Sequence, residues 1–85
     1  MRKIEQDMCV AVENQSNWCS GNTSVQRIDD VNMAVYLHGN HLADVNSRSG
    51  FVMLNMHTYI TWSTNTSRSR INALTKYFKR SHEHS

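Results

Sequence analysis

Apolar residues recur at two different periods along this 85-residue chain, and the switch between them lays out its elements. Over residues 3–15, Ile4, Met8, Ala11 and Val12 fall at helical spacing with acids mostly between them, which predicts an amphipathic helix. A helix this short is marginal alone, so its apolar stripe calls for a sheet to pack on. Residues 17–22 gather turn formers around Trp18 and read as the helix exit and a loop. Period two then takes over. Residues 23–28 read as a short strand, and residues 31–46 read as two strands folded back on Gly39-Asn40, a Gly-first loop suited to a type II′ turn.

Counting outward from that turn sets His38 opposite His41 and Leu37 opposite Leu42. It groups Met33, Val35, Leu37 and Leu42 as the core face, against Ala34, Tyr36, Ala43 and Val45 on the other. Residues 51–56 form a nearly continuous apolar run, expected to be the most buried strand with both faces covered. Residues 57–62 read as a further short strand or an ordered loop, with Trp62 sealing the sheet edge. Ile71, Leu74 and Phe78 mark a second amphipathic helix, roughly residues 67–79, with candidate N-caps at residues 64–67.

The expected fold is therefore α+β: one domain over residues 1–85, with an antiparallel sheet of three to five strands, an N-terminal and a C-terminal helix laid on it, and a frayed tail from about residue 81. This element order is similar to that of the double-stranded RNA-binding module, whose Lys-rich helix start is missing here. No run is apolar enough for a membrane span, and Arg2-Lys3 leads into no signal-peptide core. Cys9 and Cys19 are expected to be free thiols in a reducing compartment.

Charge changes this picture, because it is unevenly spread. Residues 1–44 hold six acids and three Lys/Arg (net −3), whereas residues 45–85 hold six Lys/Arg and one acid (net +5). A basic half is a hint of an anionic partner, either nucleic acid or an acidic protein surface, and stands against the plainer reading of a solvated helix face. Arg48, Arg68, Arg70, Asn72, Lys76, Lys79 and Arg80 are the candidate contacts. Lys79 and Arg80 also suit the C-terminal end of a helix dipole, whereas Arg68 and Arg70 stand at its positive end, where an external anion explains them better. Arg70 and Asn72 are the polar residues there that packing explains least. Tyr36, His38 and His41 form a secondary candidate surface on the hairpin.

Catalytic and metal chemistry lack a foundation in the sequence. His38 and His41 supply two imidazoles where zinc needs three or four ligands, and the Cys spacing matches no finger. Three glycines make no phosphate-binding loop, and no nucleophile sits in a recognisable elbow. No enzyme activity, metal or cofactor is expected. An exposed edge in so small a sheet leaves homodimerisation by strand pairing open.

Three segments carry a resemblance: Asn22-Thr23-Ser24-Val25; Val35-Tyr36-Leu37-His38-Gly39-Asn40-His41-Leu42-Ala43; and residues 62–74, from Trp62 through Thr64, Thr66, Arg70 and Asn72 to Ala73-Leu74. Together they resemble a family of small bacteriophage early proteins of short-tailed coliphage type, over residues 22–74. The resemblance implies an accessory protein made in a host bacterial cytoplasm. It would bind and inhibit or modulate a host protein or ribonucleoprotein complex, anti-CRISPR or anti-restriction inhibition being one such role. The alternative is a nucleic-acid-binding accessory protein that uses its basic C-terminal helix.

Overall fold

Residues 23–46 carry three strands, and these build the middle of the molecule. The computed structural model describes residues 2–61 and 64–82, with side chains described as far as Phe78. Its elements are α1 (Lys3–Glu13), β1 (Trp18–Ser20), β2 (Thr23–Arg27), β3 (Asn32–Leu37), β4 (Asn40–Asn46), β5 (Val52–Leu54), α2 (Met56–Thr61) and α3 (Asn65–His82). The strands form an antiparallel meander in the order β1-β2-β3-β4-β5. This is the expected α+β architecture, at the upper end of the strand range. Two extra strands' worth of meander and α2 separate it from the RNA-binding module's element order.

One face of the sheet is covered. Met8, Cys9, Ala11 and Val12 of α1 and Ala73, Leu74 and Phe78 of α3 pack on Val25, Met33, Val35, Ala43 and Val45. A smaller cluster of Leu37, Leu42 and Ile71 continues this layer under Leu54 and Tyr59. Burying a Leu or Met side chain is worth about 1.5–3 kcal/mol, so this layer is where the fold's stability resides.

The hairpin differs from the expected register in an instructive way. His38 (φ 53°) and Gly39 (φ 79°) both have positive φ, so the two-residue loop is His38-Gly39 in type I′ geometry rather than Gly39-Asn40. Leu37 then pairs with Asn40 and Tyr36 with His41. The register slips between Val35 and Tyr36, and Val35 pairs with Ala43, which leaves Leu42 as an extra residue. Leu42 and Ala43 are consecutive and both buried, at 1% and 0% exposure. Ala43 and Val45 therefore join the core face, and His41 and Asp44, three apart, share the opposite one.

The expectation for residues 51–56 is also corrected. Val52–Leu54 is an edge strand, with Phe51 63%, Met53 58% and Met56 57% exposed. Residues 56–61 are helical, not extended, because Asn55 caps them: its Oδ1 accepts the Thr58 N–H at 3.2 Å. Trp18–Ser20, read as loop, is a fifth strand whose Trp18 packs on the core rim. Thr64 and Ser67 start α3 with a reciprocal cap: Ser67 N–H donates to Thr64 Oγ1 at 3.2 Å, and Thr64 N–H donates to Ser67 Oγ at 2.9 Å. Trp62 lies outside the described residues.

Candidate functional site

The candidate residues occupy separate parts of the surface. Arg68, Asn72 and Lys76 stand four residues apart on α3, are exposed, and line a shallow cleft of about 330 Å³ with Asn65, Ser69 and Glu5. Arg48 is exposed in the β4–β5 turn, beside the C-terminal end of α3, where Gly50 meets Phe78. Lys79 and Arg80 lie on the last turns of α3, but their side chains are outside those described.

Arg70 is not a surface contact at all. Its side chain is 5% exposed, and its Nη1 donates to Glu5 Oε2 at 2.8 Å while its Nε donates to Thr23 Oγ1 at 3.0 Å. Ser69 Oγ also donates to Glu5. This buried network ties α3 to α1 and β2, and it replaces the external anion inferred for Arg70. Burial pushes the Glu5 carboxyl upward, but the hydrogen bonds from Ser69 and Arg70 outweigh it and hold the group below its ordinary value. A buried charge needs a partner of this kind, so packing accounts for Arg70 fully.

Tyr36 and His41 do come together, on the sheet face that no helix covers among the described residues. Their ring centroids are 5.2 Å apart. His41 Nε2 lies 2.6 Å from Asp44 Oδ1, and Asn55 Nδ2 lies 3.5 Å from His41 Nδ1. His38 belongs elsewhere: in the hairpin turn, it lines a cavity of about 260 Å³ with Leu37, Leu42, Thr58 and Ser67. No group of three or more His, Cys, Asp or Glu able to hold a metal occurs among the described residues. Cys9 is buried, which pushes its thiol up to about 12, and Cys19 is exposed.

The uncovered face carries a groove of about 600 Å³. Ile28 on one side and Phe51 and Met53 on the other form its apolar walls, and Asn32, Asp44 and Asn46 supply the polar groups between them. Register explains the arrangement. Ala34, Asp44 and Met53 are aligned across β3 to β5, and Asn32 pairs with Asn46 one step along the same face, so the groove-lining Asn32, Asp44, Asn46 and Met53 share one side of the sheet. Two short-range motifs fix the groove's ends. Asp29 Oδ1 accepts Val31 N–H at 2.9 Å and Asn32 N–H at 2.8 Å, while Asn46 Oδ1 accepts Arg48 N–H and Ser49 N–H, each at 3.0 Å.

Sequence reasoning missed Ile28, Asp44, Phe51 and Met53. The signal was present: in an edge strand Phe51 and Met53 share one face and Val52 and Leu54 the other, so a continuous run divides between a covered and an open side.

No helix among the described residues is long and apolar enough to cross a membrane. No curated protein and no solved structure gives a match to the chain. A family model described as Kyanoviridae Gp96 protein matches residues 1–84, which extends over α1 and the basic end as well as the 22–74 segments. The chain therefore belongs to the Kyanoviridae Gp96 protein family, a family of phage proteins.

Proposed function

We propose that this phage protein works by binding rather than by catalysis, and that its uncovered sheet face docks a host protein or ribonucleoprotein complex whose activity it inhibits or modulates. Interference with a host defence complex is one instance of that role. The observation that carries this reading is the groove between Ile28, Phe51 and Met53, side chains left 55–63% exposed on a face without a covering element among the described residues. Exposed apolar groups gathered around a concavity with a polar rim are characteristic of protein docking sites, whereas scattered ones need no explanation. Membership of a phage family supports this reading, since a phage protein made during infection would meet such a partner. The short-tailed coliphage likeness rests on the three sequence segments.

The test is affinity capture from host lysate with the wild-type chain and with Met53→Glu. The expected result is one stoichiometric host protein or complex, retained by wild type and by Lys76→Glu but lost with Met53→Glu. Equal capture by wild type and Met53→Glu would remove the sheet face from consideration.

A second reading, nucleic-acid binding along α3, is supported by the exposed Arg68, Asn72 and Lys76 at helical spacing. It predicts a mobility shift that weakens steeply with salt, with a slope reduced by about one per cation removed in Arg68→Ala and Lys76→Ala.

A further inference from the structure

We propose that the groove on the uncovered sheet face recognises an arginine side chain presented by the partner protein, with Asp44 as its carboxylate receptor. This rests on the reading of that face as the docking surface and adds the partner's chemistry to it. An arginine has an apolar stem and a planar cationic head, and the groove offers each its counterpart. Phe51, Met53 and Ile28 provide apolar walls for the stem and, at Phe51, an aromatic ring for the guanidinium. Asp44 provides the charge, and Asn32 stands beside it as a neutral hydrogen-bonding group.

The carboxylate is prepared for this role. Asp44 lies on β4, next to the edge strand, its side chain 37% exposed, and its Oδ1 contacts His41 Nε2 at 2.6 Å. That contact fixes the carboxylate's orientation, and a carboxylate has acceptor capacity for about four bonds, so its second oxygen remains able to receive a guanidinium N–H. The bulge at Leu42 is what brings His41 to the same face as Asp44.

Local charge favours a cation over an anion. Asp44 is the one charged residue among the described groove-lining residues, whereas Asp29, Asp30 and Arg27, which pairs with Asp30 at 3.2 Å, belong to the turn at the Ile28 end outside the lining. Arg48 stands on the turn beyond Ser49 but is not among the groove-lining residues. A volume of about 600 Å³ exceeds one side chain, so residues flanking the arginine also fit, and apolar ones match the walls.

The test is a two-dimensional NMR titration of the full chain with two seven-residue peptides. Both are leucine-flanked, and they differ only in a central arginine or its neutral isostere citrulline. The arginine peptide is expected to shift the amides of Asp44 and Met53 and to bind about tenfold more tightly than the citrulline peptide, the size of one charge-assisted hydrogen bond. Asp44→Asn should abolish that difference, and its own spectrum reports whether the fold is intact. Equal binding of both peptides, lost with Met53→Glu, would overturn arginine recognition while leaving the docking face standing.

Shifts confined to α3, or no shifts with either peptide, would also overturn the inference; the docking face would then be judged by the capture experiment alone. Sedimentation of the free protein completes the test. A concentration-dependent dimer abolished by Met53→Glu would assign the groove to a second copy and contradict the proposal. A monomer at the titration concentrations supports it.

Discussion

At the scale of single residues, the Glu5–Arg70 pair shows how a charge count can mislead. Nine Lys/Arg against seven acids suggested basic surface, yet one of those arginines is spent inside the molecule on a carboxylate 65 positions away in sequence. Nothing local in residues 64–74 announces that contact, because it depends on how α1 crosses α3. Removing one partner strands the other charge in the core. Arg70→Ala is therefore expected to destabilise the protein by about 3–5 kcal/mol in urea unfolding, with Glu5→Met and Arg70→Met together recovering most of the loss.

The same pair sets an acid limit. Glu5 titrates lower in the folded than in the unfolded chain, so its contribution is full above its ordinary value of 4.5 and is lost as pH falls through the folded value. Wild type should lose stability over that acid range more steeply than the double-Met variant, while the two show equal slopes at neutral pH. The cysteines differ in the same residue-level way. A thiol reagent at pH 8 should modify only Cys19 rapidly in the native protein and both cysteines after unfolding, since Cys9 is buried and its thiol is pushed up to about 12.

At the scale of elements, the two long helices were legible because a 3.6-residue period leaves a visible stripe. Ile71, Leu74 and Phe78 are all buried as that stripe requires. The sheet was legible in outline but not in detail. β1 and β5 are three residues each, too short for a period to emerge, and they owe their existence to the strands beside them. The Leu42 bulge is a property of a strand pair, so no pattern within β4 alone could show it. It reverses which face Ala43 and Val45 occupy.

The turn that goes with this bulge can be tested at His38. As the first residue of a type I′ loop with φ 53°, His38 should accept glycine with a gain of about 1 kcal/mol in thermal unfolding. Were it instead the last residue of a strand, glycine there would cost about 0.5–1 kcal/mol. Gly50 provides a control of opposite sign. A Cβ at that position would lie 3.1 Å from the Phe78 carbonyl oxygen on a backbone with φ 79°, so Gly50→Ala should destabilise by about 1–3 kcal/mol.

At the scale of the whole molecule, the described residues form two layers, a sheet with a helical layer on one of its sides. Both helices bury their stripes on the same face, and an antiparallel sheet tolerates solvent on its second face only where that face is polar. Here it is polar around Gln26, Asn32 and Asn46 and apolar at Ile28, Phe51 and Met53, which is the asymmetry expected of a docking surface. The candidate site moved accordingly. Sequence charge favoured the helix after Trp62, whereas the fold withdraws Arg70 from that surface and brings Tyr36, His41 and Asp44 together on the open face.

The central claim is that this face, and not the outer side of α3, meets the partner. Hydroxyl-radical footprinting of the protein alone and in its captured complex tests it most directly, because Phe51, Met53 and Met56 are reactive and exposed. Phe51 and Met53 should be protected in the complex, with Arg68 and Thr75 on the outer side of α3 oxidised as in the free protein. Protection of Arg68 and Thr75 with Phe51 and Met53 still oxidised at their free rates would contradict the account.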